Sequence, residues 1–164
     1  VKFEKDNFGR LSEKARAIIT ITCVDNVQAR FGVAEILNEI SYRKHYQDEP
    51  KYWLDFGNSQ DTGQVLLSTI GEIKQPNSEK YETVASLPFV TDEFGELLKQ
   101  SEQEDNTPSC SLAEALEHQD LFINSSLTQM GCSLLWNLFR RGMTEYKGFF
   151  HNLKDFRTHP IKVA

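Results

Sequence analysis

The sequence predicts an α/β domain built on a mixed, mainly parallel sheet with flanking helices. Three observations carry this. Residues 18–24 (Ile-Ile-Thr-Ile-Thr-Cys-Val) are apolar or β-branched on both faces, the pattern of a strand covered by a layer on each side. Asp25-Asn26 follows at once, and apolar residues at Val27, Phe31, Ala34 and Leu37 then recur at helical spacing. Two more strand-like runs come later, residues 52–56 and 64–70.

Composition bounds the answer. With 164 residues, 39% hydrophobic and 11% aromatic, the chain can bury a substantial core, and residues 1–164 are expected to form part of one domain. A formal net charge of −6 argues against a binder of phosphate backbones, which depends on clustered Lys and Arg. No apolar run approaches the roughly 20 residues needed to cross a bilayer, and no leader pattern opens the chain, so a cytoplasmic protein is expected. Its three cysteines, Cys23, Cys110 and Cys132, are odd in number and include no Cys-x-x-Cys pair, which leaves neither a disulfide framework nor a conventional zinc site. The first strong strand reads like the middle of a fold, and material upstream of Val1 is expected.

The elements are justified in order. Residues 3–16 read as a short strand, a turn at Gly9 and a polar helical piece leading to the 18–24 strand. Asn26 is a good N-cap for the next helix, which fades near Ile40 before a charged loop. Tyr52-Trp53-Leu54-Asp55-Phe56 and residues 64–70 are joined by the seven residues from Gly57 to Gly63, a length that suits antiparallel neighbours. From about 72 to 108 sustained periodicity is lacking, and Asp92, Glu93, Glu96, Glu102, Glu104 and Asp105 oppose Lys99, so a long acidic excursion is expected. Ser111-Leu112-Ala113-Glu114 is a capping-box signature. Residues 121–141 form a longer helix with Leu127, Met130, Leu134, Leu135 and Leu138 on its apolar face, Arg140 and Arg141 in its last turn, and Gly142 as its stop. Phe149, Phe150 and Leu153, then Ile161 and Val163, suggest two final strands.

Chemistry concentrates at few positions. Asp25 sets a carboxylate at the carboxyl end of a strand and at a helix N-terminus, the usual ligand position of open α/β sheets and a place where a magnesium-bridged phosphate is favoured. The competing reading is that Asp25 and Asn26 only cap the helix. Arg30, one turn later, is a phosphate ligand or a solvated helix residue. Cys110, just ahead of the capping box, is a nucleophile whose thiol a helix N-terminus would acidify, or a half-buried structural thiol. His118 reads as a surface residue rather than its base. Cys23 and Cys132 read as inert core residues, and Trp53 and Trp136 as core aromatics. Gly9, Gly57, Gly63 and Gly71 form neither a G-x-G-x-x-G nor a Walker pattern, so the chain as given has no phosphate-cradling loop.

Taken together, Cys23-Val24-Asp25-Asn26-Val27-Gln28-Ala29-Arg30, Leu54-Asp55-Phe56-Gly57 and Gly63-Gln64-Val65 resemble the second half of the Rossmann-like ThiF/MoeB/ubiquitin-activating fold. A closer likeness is to the ThiF-family proteins of bacterial PRTRC cassettes. It lies at residues 52–58, at Pro108-Ser109-Cys110-Ser111-Leu112-Ala113-Glu114, at residues 119–124 and in the helix around Leu135-Trp136, and covers most of residues 16–164.

The resemblance implies an ATP- and magnesium-dependent adenylation of the C-terminus of a ubiquitin-like or sulfur-carrier protein, by a protein that forms a homodimer. It assigns Asp25 to metal and nucleotide, Asn26 and Arg30 to the shape of the strand-to-helix turn, and Cys110 to a thioester relay. A conjugating-enzyme-like partner is implied, and zinc is not. The glycine-rich nucleotide loop of such a fold would lie upstream of Val1. The alternative is a catalytically degenerate ThiF-like binding subunit that acts through protein partners.

Overall fold

The computed structural model describes residues 17–41, 50–104 and 119–163. Strand β1 (Ile19–Cys23) leads into helix α1 (Val27–Ser41), followed by β2 (Tyr52–Asn58) and β3 (Thr62–Thr69). A short helix α2 (Val90–Glu93) and a longer α3 (Gly95–Glu104) come next, then α4 (Ile123–Arg141), β4 (Tyr146–Asn152) and β5 (Arg157–Lys162).

The five strands form one open sheet in the order β1-β2-β3-β4-β5. The α/β class and the mixed sheet are as expected, but among the described residues the sheet is not mainly parallel. Of the four pairings among the described strands, that of β1 with β2 is parallel and the other three are antiparallel. The reason lies in the connections, since a parallel pair needs a crossover of a dozen or more residues. Residues 24–51, which carry α1, supply one, whereas residues 59–61 and 153–156 are tight turns that return the chain antiparallel.

Two apolar cores sandwich the sheet. On one face Val27, Val33, Ala34 and Leu37 of α1 pack with Trp53, Leu66, Phe89, Val90 and Leu98. On the other, Ile123, Leu127, Leu134 and Leu135 of α4 pack with Leu54, Val65, Leu67 and Phe149. Each such side chain removed from water contributes about 1.5–3 kcal/mol. The α4 backbone lies so close to the sheet that a methyl group on Gly131 would run into the Phe56 ring. Gly142 ends the helix in the left-handed region (φ 71°), its N–H donating to the Leu138 carbonyl at 2.8 Å.

The acidic excursion is more structured than its composition suggested. Residues 72–89 run back beside the end of β3, where the Leu87 N–H donates to Thr69 Oγ1 (2.8 Å) and the Ile73 N–H to the Ala85 oxygen (2.8 Å). Helix α3 follows, with Leu98 in the core and Leu97 in solvent. Among its ten residues only Leu97 and Leu98 are large and apolar, too few to mark a helix from sequence pattern. Lys147 of β4, nearly buried, is met by both carboxylate oxygens of Glu93 (2.7 and 2.8 Å), which pins α2 to the sheet.

Strand β1 corrects a second expectation. It is the edge strand of the sheet among the described residues: Ile19 packs at the margin of the core under α4, whereas Ile21 is 55% exposed, as is Ile18 just ahead of the strand (59%). Helix α4 packs on β2, β3 and β4. At the opposite edge, β5 carries Arg157, Pro160 and Lys162, and a register irregularity lies between Tyr146 and Gly148 of its partner strand.

Candidate functional site

The carboxyl end of β1 and the start of α1 form a turn whose geometry is set by three side chains. Asn26 is the N-cap: its Oδ1 accepts the Ala29 N–H at 2.7 Å, satisfying one of the helix's free donors. Its Nδ2 donates to Asp25 Oδ1 at 3.0 Å, which steers the carboxylate while leaving it exposed to solvent. Asp25 therefore stands in open solvent at the first turn of a 15-residue helix, where the dipole favours negative charge.

Arg30 lies beneath the turn. It is 4% exposed, so it is not the solvated helix residue that its local sequence allows. Its Nε donates to Asp55 Oδ2 at 2.7 Å, and its Nη2 donates to the carbonyls of Val24 (3.0 Å) and Phe56 (3.2 Å). These bonds tie α1 to the carboxyl ends of both parallel strands. With Nε and Nη2 committed to protein acceptors, the guanidinium is an internal bolt rather than an open phosphate clamp.

The partners of that bolt form a satisfied chain. Thr22 and Asp55 are cross-strand neighbours, and the Thr22 hydroxyl donates to Asp55 Oδ1 at 2.8 Å while accepting the Trp53 indole N–H at 2.7 Å. Trp53 is fully buried, edge-on to Phe89 with ring centroids 5.1 Å apart. Burial pushes the Asp55 carboxyl above the ordinary Asp value, against the Arg30 charge and the hydrogen bonds from Thr22 and Arg30, which pull it down. Such a network is costly to leave half-made and rigid when complete.

A glycine makes room for it. A methyl group on Gly57 would collide with the Gln64 side chain and the Arg30 guanidinium, so any larger residue must push them out of place. Gly57 pairs with Gln64, Gln64 with Phe150 and Phe150 with His159, one row across the sheet. Over this row lies a groove of about 310 Å³ lined by Gln64, Phe94, Leu98, Phe150, Asn152 and His159. It is largely apolar with a few polar groups, the usual make-up of a ligand pocket.

The cysteines do not fall where the sequence suggested. Cys23 and Cys132 are both exposed, not core. Cys23 is on the outer face of the edge strand, and its thiol is pushed up by partial burial and then by the Asp55 charge, away from the thiolate form a nucleophile needs. Trp136, expected in the core, is 61% exposed. Cys110, His118 and the capping box at 111–114 lie outside the described residues.

Asp55, Thr22 and Gln64 were not singled out by sequence, although one signal existed. An aspartate inside Tyr-Trp-Leu-Asp-Phe is a charge within a strand too apolar to be solvated, and it calls for a buried cation. Among the described residues no cluster of three or more His, Cys, Asp or Glu side chains could hold a metal by itself. Magnesium does not require one: one or two carboxylates beside phosphates and water suffice, and exposed Asp25 fits that pattern. No helix among the described residues is long and apolar enough to cross a membrane. In comparisons with known proteins, no family model matched the chain and no curated protein matched it.

Proposed function

We propose that the chain supplies part of an adenylation site of the ThiF/ubiquitin-activating type, and that it acts on the C-terminal carboxylate of a small ubiquitin-like or sulfur-carrier protein. The supporting observation is the strand-to-helix turn. A solvent-open carboxylate, Asp25, stands at the carboxyl end of a parallel-paired strand and at a helix N-terminus, oriented by Asn26 and braced from below by Arg30. The Rossmann-like assignment of the sheet belongs to the same reading.

In this reading Asp25 would hold magnesium, whose charge would offset that of the ATP phosphates. Asn26 fixes the carboxylate's direction, and Arg30 keeps the turn from moving when the anion arrives. The carrier's carboxylate oxygen attacks the α-phosphorus, the bond to the bridging oxygen breaks, and pyrophosphate leaves with that electron pair. The product is an acyl-adenylate with AMP as a good leaving group. Cys110 is the proposed acceptor of the acyl group as a thioester.

ATP–pyrophosphate exchange by the full-length protein, which would include the upstream nucleotide loop, with its ubiquitin-like partner tests the reading; the chain as given is expected to be inactive by itself. Asp25→Ala is expected to lower exchange by about 10²-fold or more with folding unchanged, the usual scale for losing one preorganised electrostatic contact. Exchange at the wild-type rate overturns the metal role. A folded protein that binds the carrier but supports no exchange favours the degenerate binding subunit instead.

A further inference from the structure

We infer that the groove over the Gln64–Phe150–His159 row is a binding site for a small monocarboxylate with an apolar body, either a single ring or a short hydrocarbon chain. The site stands whether or not the chain adenylates a partner. The groove holds about 310 Å³, the low end of the range for small-molecule pockets, so its occupant has on the order of ten heavy atoms.

The register of the strands grades the groove from one end to the other. Its inner row is Gln64, Phe150 and His159, and the next row toward the carboxyl end of β2 is Thr62, Asn152 and Arg157. Alternation turns both rows to the same face, about 7 Å apart. The inner part is apolar: Phe94 stands edge-on to Phe150 with ring centroids 5.2 Å apart, and behind them lie Leu98 and Val90 of the core. The outer part carries hydrogen-bond donors. Asn152 Oδ1 accepts the Asp155 N–H at 3.1 Å, which leaves its Nδ2 to donate, and Arg157, exposed beside it, brings a fixed positive charge.

Charge selects the occupant. None of the described residues lining the groove is Asp or Glu, although the chain carries 24 of them against 18 Lys and Arg. An amine would meet donors only, and inorganic phosphate would leave the apolar part unfilled. A carboxylate placed at Asn152 and Arg157, its body turned in against Phe150, Phe94 and Leu98, satisfies both parts, with charge-assisted bonds at the head. A free acid and the C-terminal residue of a polypeptide share this chemistry, and a volume this small fits the free acid.

Isothermal titration calorimetry of the chain with 3-phenylpropanoate is expected to give a Kd on the order of 100 μM, and no binding up to about 5 mM overturns the inference. 3-Phenylpropylamine, with the same ring and the opposite charge, is expected to bind at least tenfold more weakly; equal binding refutes the assignment of the head. N-Acetylphenylalanine stands for a chain terminus, and tighter binding than that of 3-phenylpropanoate overturns the free-acid reading. Asn152→Asp keeps the acceptor for the Asp155 N–H and sets a negative charge at the mouth, so affinity falls at least tenfold while the thermal melt is unchanged. Arg157→Gln, at an exposed position, weakens binding about fivefold. Wild-type affinity in both variants places the ligand elsewhere, as do ligand-induced amide shifts that spare Gln64, Phe150 and His159.

Discussion

Replacing Arg30 by Met keeps the length and apolar stem of the side chain and removes its charge, so the buried Asp55 carboxylate loses its counter-ion. Two consequences separate by pH. Loss of the Nη2 bonds to the Val24 and Phe56 carbonyls costs about 1 kcal/mol each at any pH. Loss of the cation raises further an Asp55 pKa that burial already holds above its ordinary value. A carboxyl whose pKa rises on folding gives its stability below the unfolded value, about 3.9, and loses it as pH climbs through the folded value. The cost of Arg30→Met is therefore expected to be smallest near pH 4 and to reach about 3–5 kcal/mol near pH 8, the scale for breaking a buried pair. In a domain of this size that lowers Tm by roughly 6–20 °C. Urea unfolding of wild type and variant at several pH values between 4 and 8 measures it. Adding Asp55→Leu to Arg30→Met is expected to restore most of the loss, since a buried pair replaced by apolar groups is often close to neutral. A loss that is flat with pH, or below about 1 kcal/mol at pH 8, refutes the reasoning.

Four further outcomes are expected. Asn26→Ala removes the cap on α1 and costs about 1 kcal/mol in urea melts, whereas Asn26→Asp keeps an acceptor for the Ala29 N–H and costs less. Gly57→Ala forces Gln64 and Arg30 aside and destabilises by about 1–3 kcal/mol, with a matching rise in exchange of the amides around the β1–α1 turn. Glu93→Ala leaves the nearly buried Lys147 ammonium without its carboxylate, and because Glu93 is itself partly open the loss is about 2–3 kcal/mol by calorimetry. Cys23, its thiol pushed up by burial and by Asp55, reacts with maleimide at pH 8 more slowly than an unhindered peptide thiol, and a faster reaction contradicts the charge placement.

Much of the architecture was legible because it rests on local chemistry. The 18–24 run, the Asn26 cap and the Gly142 stop each specify an element through its own residues, and β1, α1 and α4 form where that chemistry puts them. What was not legible depends on neighbours. A strand apolar on both faces tolerates cover on both sides without supplying it, so Ile21 and Cys23 came to lie in solvent. The direction of a strand depends on its connections, and two tight turns and the long return from β3 to β4 outnumber the single crossover. The same limit hid the site's foundation. Arg30 and Asp55 are 25 positions apart in sequence, and only the pairing of β1 with β2 under α1 brings them within 2.7 Å. Of the three expected site residues in the described chain, Asp25 and Asn26 are at the surface of the turn and Arg30 is its hidden support.

Among the described residues, the two rims of the sheet differ in a way that bears on handling and on life in a crowded cell. One rim is guarded by a proline and by basic side chains that discourage unwanted ribbon addition; the other, Ile-Thr-Ile-Thr-Cys, has neither charge nor proline to turn a stranger away. Where partial melting frees this short neutral ribbon, clumping on heating is expected to precede loss of the helices. A single lysine at Ile21, pointing outward, is the change that would raise the concentration the chain tolerates.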